Sequence, residues 1–193
     1  MDDVSTNDAP AQGVPMDDPH AVITCEDEEF GPVTITTPAA VPDEALVEGP
    51  GLPLAVLTRA GEARDHRQAP IGTRDADRLT LTIGDDPATL ALGAGRLKRS
   101  SFRAVVDLAG LAYTFEPTGR HRSVLRRDGR QVALFIWTGN SESAAIWRPA
   151  DGVSPRPEDA AVGYLLATAF GTGAASTRSL LLDAVMDAID AIP

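Results

Sequence analysis

The sequence has little of what catalytic and metal-binding proteins are usually built around. One cysteine in 193 residues excludes an internal disulfide and a thiolate-rich metal site. Three histidines, His20, His66 and His121, are too few for a zinc site of four N or S ligands, and the first two fall in segments that read as tail and linker. Aromatic residues make up 5% of the chain, and none interleaves with basic residues as a stacking platform. Cys-x-x-Cys, His-Glu-x-x-His, Gly-x-Ser-x-Gly and P-loop patterns are all missing. The first twenty residues have neither a basic n-region nor an apolar h-region. With the lone cysteine, this leads to the expectation of a cytoplasmic protein with no cofactor and no metal.

Basic residues are missing from a whole region. Residues 1–50 hold twelve Asp and Glu and no Lys or Arg, so the remaining sixteen acids face all seventeen bases over residues 51–193. The net charge of -11 therefore belongs to one end of the sequence. Cys25 stands beside Glu26, Asp27, Glu28 and Glu29, which raise a thiol pKa and make it a poor nucleophile. Lysine is nearly absent as well. Sixteen of the seventeen bases are Arg beside abundant Ala, Gly, Pro and Asp, a pattern that matches high-GC bacterial codon usage and is not by itself phosphate recognition.

Composition divides the chain into three parts. Residues 1–50, rich in Pro and Asp, read as an acidic and largely irregular tail, since they offer too little apolar area to offset backbone ordering. The alternating run Pro32 to Thr37 is the exception and suits a sheet edge. Residues 51–78 read as a short strand followed by a polar linker broken by Gly61, Pro70 and Gly72. Residues 79–193 carry the compact region.

There the period changes to two. Leu79, Leu81 and Ile83 alternate with Thr80, Thr82 and Gly84, and Asp85-Asp86-Pro87 turns the chain. Phe102 to Leu108 and Leu111 to Phe115 flank Ala109-Gly110. His121 to Arg127 precedes Asp128-Gly129, a strong hairpin signal because a type I′ turn needs positive φ at its centre. Gln131 to Trp137 is almost wholly apolar, as a central strand is, and Gly139-Asn140 leads into Ala144 to Arg148. Strands about ten residues apart predict an antiparallel meander or small barrel.

The chain ends differently. Pro157, Glu158 and Asp159 suit a first helical turn, and Ala160 to Thr177 carries no charge. Gly171-Thr172-Gly173 interrupts that window, which argues against a membrane span. A helix from Glu158 to Phe170, apolar all round, must instead be buried on every side, as inside a barrel or beneath a sheet. A second, amphipathic helix is expected from Ser176 or Thr177 to Ile189, with Leu181, Leu182, Val185, Met186 and Ile189 on one face and Asp183, Asp187 and Asp190 on the other. The fold class is thus α+β, predominantly β.

Candidate chemistry is sparse. Asp75 with Asp77, Asp85 with Asp86, and the Asp183, Asp187, Asp190 stripe could hold a hard cation or act as acid and base, but turn formation and solvated helix faces explain them fully. Gly171-Thr172-Gly173 reads as a helix C-cap rather than an anion cradle. The informative feature is Arg96 to Arg130, with nine bases against Asp107, Glu116 and Asp128. On the strand His121 to Arg127, Arg122, Val124 and Arg126 share one face, and His121, Ser123, Leu125 and Arg127 share the other. Whichever face packs inward, guanidinium forks suited to phosphate remain outward. The anion-binding candidates are Arg103, Arg120, Arg122, Arg126, Arg127 and Arg130.

An antiparallel β-series followed by a very apolar helix resembles the tubby C-terminal and LURP-one-like barrel family. The residues concerned are the run Ser101-Phe102-Arg103-Ala104-Val105-Val106, the run Tyr113-Thr114-Phe115-Glu116-Pro117, the hairpin at Asp128-Gly129 and the helix Ala160 to Phe170. The resemblance implies a twelve-stranded barrel around a central hydrophobic helix and, in some members, binding of phosphoinositides or other membrane components. Only seven or eight strands are counted, so that barrel requires a contribution from Pro32 to Leu57.

The leading expectation is a non-enzymatic binding domain for an anionic small molecule or lipid headgroup, with the acidic tail as an internal competitor. Nucleic acid is disfavoured because the twelve acids of residues 1–50 repel a long polyanion. The alternative is a protein-interaction or assembly subunit docking through the acidic tail or the C-terminal helix. An enzyme built on the scattered carboxylates is a third reading.

Overall fold

A computed structural model describes residues 20–38, 43–61, 66, 69–96, 98–139 and 142–173. The expected helix around Val185 and the stripe of Asp183, Asp187 and Asp190 lie outside the described residues, as do residues 1–19. Among the described residues eleven strands form one antiparallel meander in chain order, every neighbour in sequence being a neighbour in the sheet. They are β1 His20–Asp27, β2 Gly31–Pro38, β3 Glu44–Glu48, β4 Ala55–Arg59, β5 Leu79–Ile83 and β6 Asp86–Leu92, followed by β7 Ala104–Leu108, β8 Leu111–Pro117, β9 Arg122–Arg127, β10 Arg130–Gly139 and β11 Glu142–Trp147. The sheet curls into a nearly closed barrel that brings β11 beside β1. Among the described residues a single α-helix, α1 Pro157–Phe170, occupies its interior and touches β2 to β5 and β8 to β11.

Period two explains the sheet. On β4 the residues Ala55, Leu57 and Arg59 are buried and alternate with half-buried ones; on β8 Tyr113 and Phe115 point inward. Ala109-Gly110 and Asp128-Gly129 make the tight turns expected, with φ of 51° and 81°, and 50° and 77°. The turn between β5 and β6 falls on Gly84 and Asp85, one residue before its predicted place, because Gly84 adopts φ 61°. Phe102 closes a 3-10 turn at Arg99–Phe102 instead of starting a strand.

The helix is buried all round, as its composition requires: ten of its apolar and glycine residues, from Ala160 to Phe170, are buried along with Asp159. Gly163 lets it approach β10. A Cβ there would lie 2.2 Å from Phe135 Cζ, and Phe135 is itself ringed by Phe115, Trp147 and Tyr164 at centroid distances of 5.7, 6.3 and 5.2 Å. No helix among the described residues is long and apolar enough to cross a membrane.

Residues 20–38 and 43–48 correct the reading of residues 1–50 as largely irregular. They form β1, β2 and β3, well beyond the short run at Pro32 to Thr37. Average composition hid them because a strand needs one apolar face only, and the small side chains Val33, Ile35, Ala45 and Val47 suffice against a central helix. Residues 69–78, read as linker, are also built into the fold. Ala69, Ile71, Thr73 and Arg74 are buried, and Ile71 N–H donates to the Ala169 carbonyl at 3.0 Å.

Two buried carboxylates fasten the barrel at the end where α1 begins. Asp27 accepts from Trp147 Nε1 at 2.8 Å, from Tyr164 Oη at 2.7 Å, and from the Glu29 and Phe30 N–H groups at 2.9 and 3.0 Å. It joins the first strand, the last strand and the helix, although no strand ladder between β1 and β11 occurs among the described residues. Burial, with the Asp27 hydrogen bond and charge, raises the Tyr164 hydroxyl pKa above its ordinary value. The second carboxylate is Asp159, fully buried, which accepts from Arg127 Nη1 at 2.7 and 2.5 Å and from Arg156 N–H at 2.9 Å. Burial pushes its carboxyl above the ordinary range, against the opposing pull of the Arg156 N–H and of Arg127. Tyr113, buried beside this pair, is raised by the same desolvation and by the Asp159 charge.

Candidate functional site

The six arginines singled out in the sequence do not converge. Arg127 points inward with Leu125 and Ser123 and is committed to Asp159 and to the Ser154 carbonyl, which corrects its reading as a surface ligand. The cause is parity: Leu125 fixes which face of β9 is buried, and Arg127 shares it. Arg126 faces outward but pairs with Glu116 at 3.4 Å. Arg130, exposed, donates to the Asp151 carbonyl. Arg122 begins β9 and Arg127 ends it, so their backbones are roughly 17 Å apart at about 3.3 Å per residue. Arg127 and Arg130 belong to the end where α1 begins. Arg103, Arg120 and Arg122 belong to the other, and all three are exposed.

At that other end the structure adds residues the sequence reading had counted but not assigned. The segment between β6 and β7 carries Arg96, Lys98 and Arg99, all exposed, just before Arg103. Its 3-10 turn packs against β8, whose end leads into Thr118 to Arg122. Neither 93–103 nor 117–122 contains an acid. The basic side chains of two segments thus share one rim.

Internal hydrogen bonds shape this rim. Arg74, buried, donates through Nε to the Gly93 carbonyl at 2.8 Å and through Nη2 to the Phe102 and Arg103 carbonyls at 2.8 and 3.0 Å. Its guanidinium lies over the Phe170 and Phe102 rings, 5.1 and 5.8 Å from their centroids, tying the rim to the end of α1. Desolvation lowers its pKa to about 10, so it stays charged at neutral pH. Ser101 Oγ accepts from Arg96 N–H at 2.9 Å, and Gly95 N–H donates to the Ser101 carbonyl at 2.7 Å. Gly93 allows the close crossing, since a Cβ there would meet the Ser101 carbonyl oxygen at 2.3 Å.

Beside the rim, the barrel mouth holds a cavity of about 400 Å³. Ile35, Ala45, Ile71, Ala167 and Ala169, all buried, are its apolar lining, and Ile23 adds to it from β1. Polar lining comes from Thr37, Ser143, Thr168 and Thr172. His121, between Arg120 and Arg122 in sequence, also lines it, with its ring 5.2 Å from that of Trp137. Trp137 is 45% exposed. Inward parity on β10 should bury a tryptophan; this one stands at an open mouth, which periodicity cannot report.

The carboxylates considered as cation or acid-base ligands are explained locally. Asp75 caps the 3-10 turn Ala76–Arg78 by accepting from Asp77 N–H at 3.2 Å. Asp85 sits in the β5–β6 turn and Asp86 opens β6. Gly171 closes α1 with φ 78°, its N–H donating to the Ala167 carbonyl at 2.9 Å. Among the described residues no group of three or more His, Cys, Asp and Glu is arranged to hold a metal ion. No protein-family model, curated protein or solved structure matches the chain in comparison.

Proposed function

We propose that the chain is a non-catalytic binding domain that takes a phosphate-bearing anion, as a small molecule or a lipid headgroup, on the rim at the end of the barrel where α1 terminates. One observation carries this reading: the 3-10 turn of the acid-free segment 93–103 packs on β8, which runs into the acid-free segment that ends at Arg122, and the two segments expose Arg96, Lys98, Arg99, Arg103, Arg120 and Arg122. Guanidinium forks offer paired donors to phosphate oxygens, and a rim held by Arg74 and Ser101 loses little freedom on binding. The site keeps Arg103, Arg120 and Arg122 from the sequence reading and leaves out Arg126, Arg127 and Arg130. Competition from the described part of the acidic region is narrower than expected, since Asp27 is buried and Glu26, Glu28, Glu29 and Glu48 belong to the opposite end, which leaves Asp43 and Glu44 at the rim's end.

A meander closing around a buried apolar helix supports the resemblance to the tubby C-terminal and LURP-one-like barrels, as does the contribution of residues 32–57 to the sheet. Inorganic pyrophosphate titrations and sedimentation with phosphatidylcholine vesicles, with and without phosphatidylserine, separate the two sources of phosphate. Arg103→Glu with Arg122→Glu should weaken binding of the responsive probe by about tenfold or more, and Arg130→Glu at the opposite end should leave it unchanged. Equal losses from both variants, or no salt-sensitive binding of either probe, would sink the proposal.

A further inference from the structure

The mouth cavity lies next to the basic rim but differs from it in chemistry. Among the described residues its lining contains no Asp, Glu, Lys or Arg, and the polar groups they contribute are four hydroxyls and the His121 imidazole. Small residues on the last turns of α1, Ala167, Ala169 and Gly171, leave the space that larger side chains would fill. The hydrogen bond from Ile71 N–H to the Ala169 carbonyl fixes one wall against the end of α1, so the described residues give the space a set shape. Its volume suits a small-molecule site, with room for about a dozen methylene-sized groups at roughly 30 Å³ each.

We infer that this cavity takes the unbranched apolar chain of an amphipathic ligand whose anionic head rests on the basic rim. The inference rests on the binding reading above and narrows its ligand class. His121 joins the two parts, because it lines the cavity while its chain neighbours Arg120 and Arg122 belong to the rim. Trp137 stands where an entering chain would cover it. Chain burial supplies affinity without geometric demand, and the guanidinium groups select the sign of the head.

The test uses the full chain with saturated fatty acids from hexanoate upward and the matching 1-alkanols, all below their critical aggregation concentrations, read by tryptophan fluorescence. A saturable response is expected, with affinity rising about fourfold per added methylene until the cavity is filled and then levelling. Carboxylates should bind more tightly than alkanols of equal length, and Arg103→Glu with Arg122→Glu should erase that preference while leaving the alkanol response. Trp137→Phe should remove the signal, and competition with a fluorescent fatty acid then reports whether binding persists. Ala167→Phe should abolish binding by filling the cavity. Thr37→Phe, at a half-buried lining position away from the helix, should reduce it at least tenfold if the first variant fails to fold.

Affinity that keeps rising with chain length, or a response unchanged in Thr37→Phe, overturns the inference. So does the lack of any response with Trp137 shielded from acrylamide, which would mean that the protein's own residues fill the space. Pyrophosphate binding that survives in such a case would leave the rim reading standing. Loss of pyrophosphate binding with the alkanol response intact would separate the two in the other direction.

Discussion

The two ends of the barrel solve opposite problems. Where α1 begins, the connections are mostly tight, Asp27 ties the first strand to the last, and Asp159 holds Arg127. Glu158 and Asp159 in the first helical turn complement the positive end of the helix dipole. Where α1 ends, the β4–β5 and β6–β7 connections are long, Arg74 gathers backbone carbonyls, and cations project from segments without acids. Buried charge at the first end is partnered, Arg127 by the Asp159 carboxylate and Asp27 by an indole, a phenol and two backbone N–H groups, and serves closure. Exposed charge at the second end is carried on an ordered surface beside an open cavity. Arginine count treats both ends alike; burial and partners tell them apart.

The sharpest way to break this comparison is to remove the clasp. Asp27→Ala leaves the Trp147 indole, the Tyr164 hydroxyl and two backbone N–H groups without their acceptor, and should cost about 3–5 kcal/mol in urea denaturation. Arg122→Ala at the opposite end should change stability by no more than about 0.5 kcal/mol. Comparable losses from both would mean that the ends are not mechanically distinct.

Arg127→Ala tests the second fastening and should cost about 3 kcal/mol by stranding the Asp159 carboxylate in the interior. Replacing both, as Arg127→Met with Asp159→Leu, should recover much of that loss, because a matched apolar pair removes both desolvation penalties. The pH dependence has a definite sign. A folded-state pKa raised above the ordinary 3.8 means that the native protein binds a proton at Asp159 before the unfolded chain does. The stability advantage of the native chain over Asp159→Asn should therefore be greatest below that ordinary value and shrink as pH rises through the raised one. Urea midpoints of the two proteins between pH 4 and 8, at about one-unit steps, would show the difference narrowing; a widening one would mean that the Arg127 charge outweighs burial.

Local pattern carried much of the fold. Leu79 to Ile83 and the Asp128-Gly129 hairpin were legible from alternation and turn chemistry, and the uncharged run after Asp159 required a helix with no solvent face. Asp27 was not legible, because its partners Trp147 and Tyr164 are 120 and 137 residues away and neither spacing nor composition joins them. The site was half legible. Face parity on β9 was clear, but nothing local said that the Leu125 face was the buried one, and so Arg127 entered the surface set. The rim needed a contact between the 3-10 turn and β8, a property of sheet order and not of any segment.

Gly163 lies midway along the helix and allows the smallest perturbation that bears on both ends. Gly163→Ala puts a methyl group into the Phe135 ring, whose neighbours Phe115, Trp147 and Tyr164 leave it little room to yield. Better helix propensity offsets less than the overpacking costs, so stability should fall by about 1–3 kcal/mol. If the ends are independent, pyrophosphate affinity at the rim should not change. If the helix instead slides toward its C-terminus, Ala167 and Ala169 move with it, the cavity is reshaped, and the response of Trp137 to decanoate shifts with the stability. A variant that loses stability and keeps both binding signals would establish that α1 fastens one end without setting the geometry of the other.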